Sequence, residues 1–292
     1  MSAPLALVVA AFVNAASVHL EASIDGGKSK PGWVYVKGEQ KVTLSAVVRG
    51  AEVVSTKWFK IEPTVGSLDN TQPSFHFEKV SYEETELTAC RDQLTCAGDV
   101  TPTKLPSIAA LPGLGTMAFK VIVTTREGKV LSTPGLESTK YGGLTADVFR
   151  VTRRRDDSLI GYATELLNSP YIFGSAGPDG RNQSDLLIGA DCADLVIYAR
   201  RRMGRKAAYT STYAIDQQAP ELKKGVAAKV GDVLHFPNSR HVAILFEDRE
   251  PKGVVTEDDL ILHTCWAPPT VQAIKDVPDC ASVPYRVLRF PN

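Results

Sequence analysis

The feature that most constrains the fold is a change of hydrophobic periodicity near residue 156. Before it, short runs rich in β-branched and aromatic residues, such as 34–36 and 57–61, are separated by Gly, Pro, Asn and Asp. Such runs are typical of strands, and apolar residues that alternate with polar ones mark half-buried strands. After it, apolar residues recur at helical spacing within 159–167, and a Ser or Asp that can cap a helix precedes them. We therefore expect two differently built parts.

The first part is predicted to be a β-sandwich over residues 17–145, since its short strands are evenly spaced between turns. Trp58 in its middle resembles the core Trp of immunoglobulin-like domains, although no Cys pair brackets it at their usual spacing. Residues 134–156 contain Pro-Gly and Gly-Gly pairs and a run of charges, and they are interpreted as a linker that few contacts cross. A spacer role and the binding of carbohydrate or protein both remain open for this part.

The 292-residue chain contains 33 Lys and Arg and 33 Asp and Glu, so its formal charge is zero. This balance argues against a general electrostatic hold on nucleic acid. The apolar run at 5–13 is too short to span a bilayer. With Ala15 and Ala16 it fits a signal segment over residues 1–16, and a buried first strand is the alternative. No later run predicts a transmembrane helix. The signal segment predicts a secreted protein or one of the periplasm or cell envelope.

The chain has five cysteines, and their spacing indicates which thiol stays unpaired. In an exported protein the short separations predict the pairs Cys90–Cys96 and Cys265–Cys280, which leaves Cys192 unpaired. The alternative is five reduced, packed cysteines. No Cys or His spacing typical of a zinc site occurs, and no cofactor is expected.

Cys192 is predicted to lie in the first turn of a helix over 192–203. Asp191 is a good N-cap, and Asp194 follows at the capping-box spacing. A thiol at this position feels the positive end of the helix dipole. We therefore expect its pKa to be lowered, which favours the nucleophilic thiolate.

A hairpin further along the chain offers a base for this thiol. The four-residue turn 237–240 should pair Phe236 with His241, and strand alternation then turns His235 to the opposite face. His241, at the start of its strand, is the better candidate base, and His235 is interpreted as structural. His263, within a later predicted strand, is the candidate third polar group that orients the imidazole.

Four segments in this order resemble the NlpC/P60 family. Residues 169–174 (Ser-Pro-Tyr-Ile-Phe-Gly) are similar to its Pro-Tyr-x-x-Gly-Gly segment, and 191–196 (Asp-Cys-Ala-Asp-Leu-Val) to Asp-Cys-Ser-Gly-Leu-Val. Residues 230–236 (Val-Gly-Asp-Val-Leu-His-Phe) are similar to Pro-Gly-Asp-Leu-Val-Phe-Phe, and 241–245 (His-Val-Ala-Ile-Leu) to His-Val-Gly-Ile-Tyr. The resemblance covers about 158–266.

The resemblance implies a papain-like α+β domain over residues 146–292, so the expected fold class is α+β with an all-β sandwich in front. It implies hydrolysis of amide bonds in the stem peptides of bacterial peptidoglycan. Carried over, Cys192 is the nucleophile, His241 the base and His263 the third polar residue. The substrate-binding residues would then be Tyr171, Asp191 and Asp194.

Departures from the family pattern lie near the nucleophile. Ala193 and Asp194 replace Ser-Gly, and Ser175 replaces the second Gly after Tyr171. These changes alter the substrate rim and put stem-peptide specificity in doubt more than catalysis. The same fold acting on another amide, ester or thioester is one alternative. A secreted binding protein with a degenerate site is the other.

Overall fold

Strands dominate the structure. The computed structural model describes residues 15–64, 66–71, 76–103, 111, 113–175 and 182–291, so most of the predicted signal segment lies outside the described residues. Strand residues account for 37% of the structure and helical residues for 12%. The α-helices contain 5, 11 and 7 residues. The expected α+β class is therefore wrong, because the helical periodicity of the second part extends over short segments only.

Two sheets, in which most neighbouring strands are antiparallel, form the first part of the chain. One has the strand order β2-β1-β4-β8, and the other has the order β3-β13-β9-β5-β7 with β10 beside β9. The strands are β1 Ser17–Ile24, β2 Lys30–Pro31, β3 Val34–Lys37, β4 Val42–Arg49, β5 Val53–Pro63, β6 Ser67–Asp69, β7 Tyr82–Glu86, β8 Thr95–Ala97, β9 Gly115–Thr125, β10 Val130–Ser132, β11 Thr139–Lys140, β12 Gly143–Leu144 and β13 Phe149–Arg154.

The core between these sheets surrounds Trp58, as predicted. Trp58 is fully buried and packs in one cluster with Leu44 of the facing sheet and Phe119 of the neighbouring strand. Its indole N–H donates to the carbonyl oxygen of Gln93 at 2.8 Å. The predicted Cys90–Cys96 disulfide is present and closes the loop before β8.

Strand β13 corrects the predicted linker. It pairs in parallel with β3 and antiparallel with β9, so it lies inside the second sheet of the sandwich. Residues 149–154 are therefore not a linker, and the sandwich continues to Arg154, beyond the predicted boundary at residue 145. The charge run at its end obscured a strand whose residues Phe149 and Val151 are buried in the core.

The second part contains a five-stranded antiparallel sheet of order β18-β17-β16-β15-β19. Its elements are α1 Leu159–Ala163, β14 Tyr171–Phe173, α2 Cys192–Arg202, α3 Thr212–Gln218, β15 Val233–Phe236, β16 His241–Glu247, β17 Leu260–His263, β18 Thr270–Ala273 and β19 Arg286–Leu288. Helix α2 packs on one face of the sheet, where Val242 and Ile244 share a core with Val196. Phe236 and Leu245 belong to a separate core on the other face.

The two parts are joined by many contacts, contrary to the expectation of few. Strand β14 pairs in parallel with β6, so a two-stranded sheet takes one strand from each part. The buried Glu165 carboxylate accepts hydrogen bonds from Tyr198 and Arg202 at 2.6 Å each, and from Arg154 at the end of the sandwich at 3.3 Å. Within the described residues, no helix is both long and apolar enough to cross a membrane.

Candidate active site

Helix α2 begins at Cys192 with the predicted capping box. The Asp191 carboxylate accepts the backbone N–H groups of Ala193 and Asp194 at 3.0 and 3.1 Å. The Asp194 carboxylate accepts the Asp191 N–H at 3.1 Å and also the hydroxyl of Ser175. Asp194 is only 2% exposed. It therefore fixes the helix start from inside the protein, and the structure does not place it on a surface where a substrate could reach it.

The Cys192 thiol is free and half-buried. Burial raises its pKa above the ordinary value, and the negative charge of Asp191 raises it further. The backbone of Val242, the residue after His241, lies against the thiol and opposes this shift. The expected lowering of the pKa is therefore wrong, since burial and the adjacent carboxylate outweigh the helix dipole.

The hairpin of β15 and β16 has the predicted register, with Phe236 opposite His241 and His235 opposite Val242. Val242 faces α2, so alternation places His241 on the other face, where its ring centroid lies 6.1 Å from that of Phe236. No hydrogen bond joins the described side chains of Cys192 and His241. The residue of β16 beside the Cys192 thiol is Val242, one position after His241.

His241 and His263 form a buried pair. Their ring centroids are 5.4 Å apart with the rings edge to face, and they are 2% and 5% exposed. Among the described residues, Nε2 of His241 and both ring nitrogens of His263 have no hydrogen bond of good geometry, although the Gln272 side chain lies near His263 and opposes the effect of burial on its pKa. Burial lowers the pKa of His241 to about 3 and that of His263 to about 4. Both imidazoles are therefore neutral near pH 7, the form that can accept a proton.

His235 has structural partners, as interpreted from the sequence. Its Nδ1 lies 3.0 Å from a guanidinium nitrogen of Arg286 and 3.9 Å from the Asp216 carboxylate. These residues belong to β19 and α3, so His235 links the edge of the sheet to that helix.

Asp279 is a site residue that the sequence did not indicate. Its carboxylate accepts the Cys265 thiol at 3.0 Å, and its negative charge opposes the burial effect on the pKa of both His241 and His263. The predicted Cys265–Cys280 disulfide is wrong, because both cysteines are free: Cys265 bonds to Asp279 and Cys280 packs in an apolar core. No sequence motif signals Asp279, whose position depends on how the chain returns after β18.

Tyr171 lies beside the candidate nucleophile. It forms a parallel bridge with Ala190, two residues before Cys192. Burial raises the pKa of its hydroxyl, and the charges of Asp191 and Cys192 add to this effect. Its ring centroid is 5.4 Å from that of Trp266, in the loop after β17, which the sequence also did not indicate.

The structure thus places a thiol at a capped helix start and, on the other face of β16, the neutral imidazole of His241 beside His263. These groups are suited to nucleophilic and proton-transfer chemistry, but the described side chains do not bring the thiol and the imidazoles into contact. In the described part of the chain, no three His, Cys, Asp or Glu side chains are grouped so that they could hold a metal ion. Comparisons of the chain with protein-family models, with curated proteins and with solved structures give no significant match.

Proposed function

We propose that the protein is a cysteine hydrolase that cleaves amide bonds in peptides, with Cys192 as nucleophile and His241 as base. The observation that carries the proposal is the position of the thiol: Cys192 lies at the capped start of α2 and packs against the core that contains Val242, the residue after His241. The four segments that resemble the NlpC/P60 family include both residues, which supports the same roles.

Before the reaction, the Cys192 thiol and the His241 imidazole are both expected to be neutral. The raised pKa of Cys192 and the pKa of His241 of about 3 keep the proton on sulfur at rest. His241 lies on the face of β16 opposite to α2, so its imidazole must swing around the start of that strand to reach the sulfur. It then accepts the thiol proton as the sulfur attacks the carbonyl carbon of the substrate. His241 then donates that proton to the leaving nitrogen as the C–N bond breaks. A thioester remains on Cys192.

Water completes the cycle. His241 accepts a proton from water as its oxygen attacks the thioester, and the acid is released with the thiol restored. The Asp191 carboxylate accepts the N–H groups of Ala193 and Asp194 and not that of Cys192, so the cap does not use the Cys192 N–H. This N–H is the proposed oxyanion donor. His263, edge-on to His241, is the proposed positioning residue for the imidazole.

The proposed substrates are peptide amides, and the resemblance directs attention first to peptidoglycan stem peptides outside the cytoplasm. A second candidate is a binding protein with an inactive site. The missing hydrogen bond between Cys192 and His241 and the raised thiol pKa favour it.

Product analysis separates the two candidates. Purified protein is incubated with a muropeptide mixture and with unrelated peptides, and the products are identified by mass. The hydrolase proposal predicts cleaved amides with the wild type and none with Cys192→Ala. Products that persist in Cys192→Ala would contradict the assigned nucleophile. Absence of cleavage with every substrate, together with binding, would favour the second candidate.

A further inference from the structure

The loop after β17 presents an aromatic surface beside Cys192. Trp266 is 63% exposed, and its ring centroid lies 5.4 Å from that of Tyr171 and 6.1 Å from that of Phe173. Phe173 is itself 41% exposed. Tyr171 and Phe173 are two residues apart on β14, so they lie on the same side of that strand. The three rings form one continuous aromatic surface, which we name the aromatic wall.

Trp266 occupies an unfavourable conformation. Its φ is 52°, in the left-handed region that bulky side chains rarely adopt. The turn is fixed on both sides, because the Thr264 hydroxyl donates to the Ala267 carbonyl at 2.6 Å and the Cys265 thiol donates to Asp279. The indole gains little burial in return for this strain. Strained backbone and an exposed large aromatic side chain at one residue are typical of ligand-binding positions.

We propose that Trp266 and Phe173 bind a large apolar side chain of the peptide substrate, next to the amide that Cys192 attacks. This inference rests on the proposed function and narrows its substrate class. Tyr171 forms the base of the subsite and connects it to the nucleophile through Ala190. Burying such a side chain against two exposed rings supplies binding energy that the carboxylates around Cys192 do not.

The shape and polarity of the aromatic wall favour an apolar side chain over a sugar ring. The indole plane is tilted by 46° from Tyr171 and by 41° from Phe173, so the rings form a corner and not one flat stacking surface. A sugar also needs free polar partners. Of the carboxylates beside the aromatic wall, Asp191 already uses one oxygen for Ala193 and Asp194 and the other for the N–H of Gly174 at 3.3 Å. Asp69, the strand partner of Phe173, accepts the backbone N–H and the hydroxyl of Thr71.

Binding is measured without turnover, so that failure of this inference and failure of the proposed hydrolysis are distinguishable. The Cys192→Ala protein is titrated by calorimetry with N-acetyl tripeptide amides that carry Phe, Leu or Gly at the central position, and with a chito-oligosaccharide. We expect Phe and Leu peptides to bind at least about tenfold more tightly than the Gly peptide. Adding Trp266→Asn should remove this preference, because Asn accepts the left-handed backbone but lacks the ring.

Two controls complete the experiment. Trp266→Phe should keep most of the preference, and Tyr213→Ala, which removes a 54% exposed aromatic residue on α3, should keep all of it. In the active protein, Trp266→Asn should raise KM for Phe peptides and leave kcat nearly unchanged. Equal affinity for Phe and Gly peptides, a preference that survives Trp266→Asn, or binding of the oligosaccharide alone would overturn the inference. Binding with this preference but no hydrolysis by the wild type would overturn only the proposed function.

Discussion

The sandwich and the second part of the chain treat buried polar side chains differently. In the sandwich, the Lys60 ammonium is 3% exposed and donates to the Asp99 carboxylate at 3.0 Å and to the Thr101 carbonyl at 2.6 Å. In the second part, His241 and His263 are equally buried but keep ring nitrogens without partners among the described residues. An unpartnered buried polar atom costs about 1–3 kcal/mol. The buried Lys60 ammonium is therefore fully partnered, whereas the histidine pair retains ring nitrogens that a reacting substrate can use.

If the unpartnered histidine nitrogens serve catalysis, replacing His241 should give the largest loss of activity. His241→Ala removes the proposed base, so kcat should fall by about 10²- to 10⁴-fold. His235→Gln is the matched control, since it changes a histidine of the same hairpin on the opposite face and should leave kcat per folded molecule nearly unchanged. Steady-state hydrolysis of a cleaved peptide, normalised to folded protein, measures both. Equal losses in the two variants would contradict the assignment.

The second prediction concerns the joint between the two parts. Glu165→Ala leaves Arg202 and Tyr198 without their buried partner and should lower the free energy of unfolding by about 3–5 kcal/mol. Urea unfolding measures this loss. The exposed pair of Glu52 and Arg126 provides the comparison, and Glu52→Ala should change stability by less than about 1 kcal/mol. Similar small effects in both variants would show that the joint contributes little.

The third prediction concerns pH. Burial lowers the pKa of His263 from 6.5 to about 4, so below pH 6.5 the unfolded chain binds a proton that the folded protein excludes. Above pH 6.5 the neutral His263 does not lower the free energy of unfolding. As the pH falls from 6.5 towards 4, this free energy decreases by up to about 3 kcal/mol, because only the unfolded chain takes up the proton. His263→Asn should therefore weaken the fall in stability between pH 7 and 4, measured by urea unfolding.

The fourth prediction has the smallest expected effect and concerns the N-terminal cap of α1, at the start of the second part. The Ser158 hydroxyl accepts the Gly161 N–H at 3.1 Å and caps α1. Ser158→Ala should destabilise the protein by about 1 kcal/mol without changing KM for a cleaved peptide. Thermal unfolding and steady-state kinetics measure the two quantities. A large change in KM would mean that α1 also positions the substrate.

The features that the sequence predicted correctly depend on interactions between residues that are close in sequence. The cap of α2 follows from the spacing of Asp191 and Asp194, and the register of β15 and β16 follows from the length of their turn. The Cys90–Cys96 disulfide likewise spans six residues. Each of these features depends on neighbours in sequence, so the residues alone were sufficient.

Features that depend on distant pairing were not predicted. Strand β13 was interpreted as linker, because its partners β3 and β9 lie far away in sequence. Asp279 and Trp266 reach the candidate site only through the return of the chain after β17, and no local pattern marks them. The pKa of Cys192 was misjudged for a similar reason: its burial depends on packing that the helix dipole argument does not include.

The central claim is that Cys192 forms a covalent acyl intermediate. The most direct test is to quench the protein with acid during turnover of a cleaved peptide, and to measure the intact mass and the modified residue by mass spectrometry. We expect a mass increase equal to the acyl half of the peptide, located on Cys192 and absent from Cys192→Ala. Continued hydrolysis with the acyl group on Cys265 or Cys280, the other two free cysteines of the described residues, or with no acyl group on any cysteine, would contradict the mechanism.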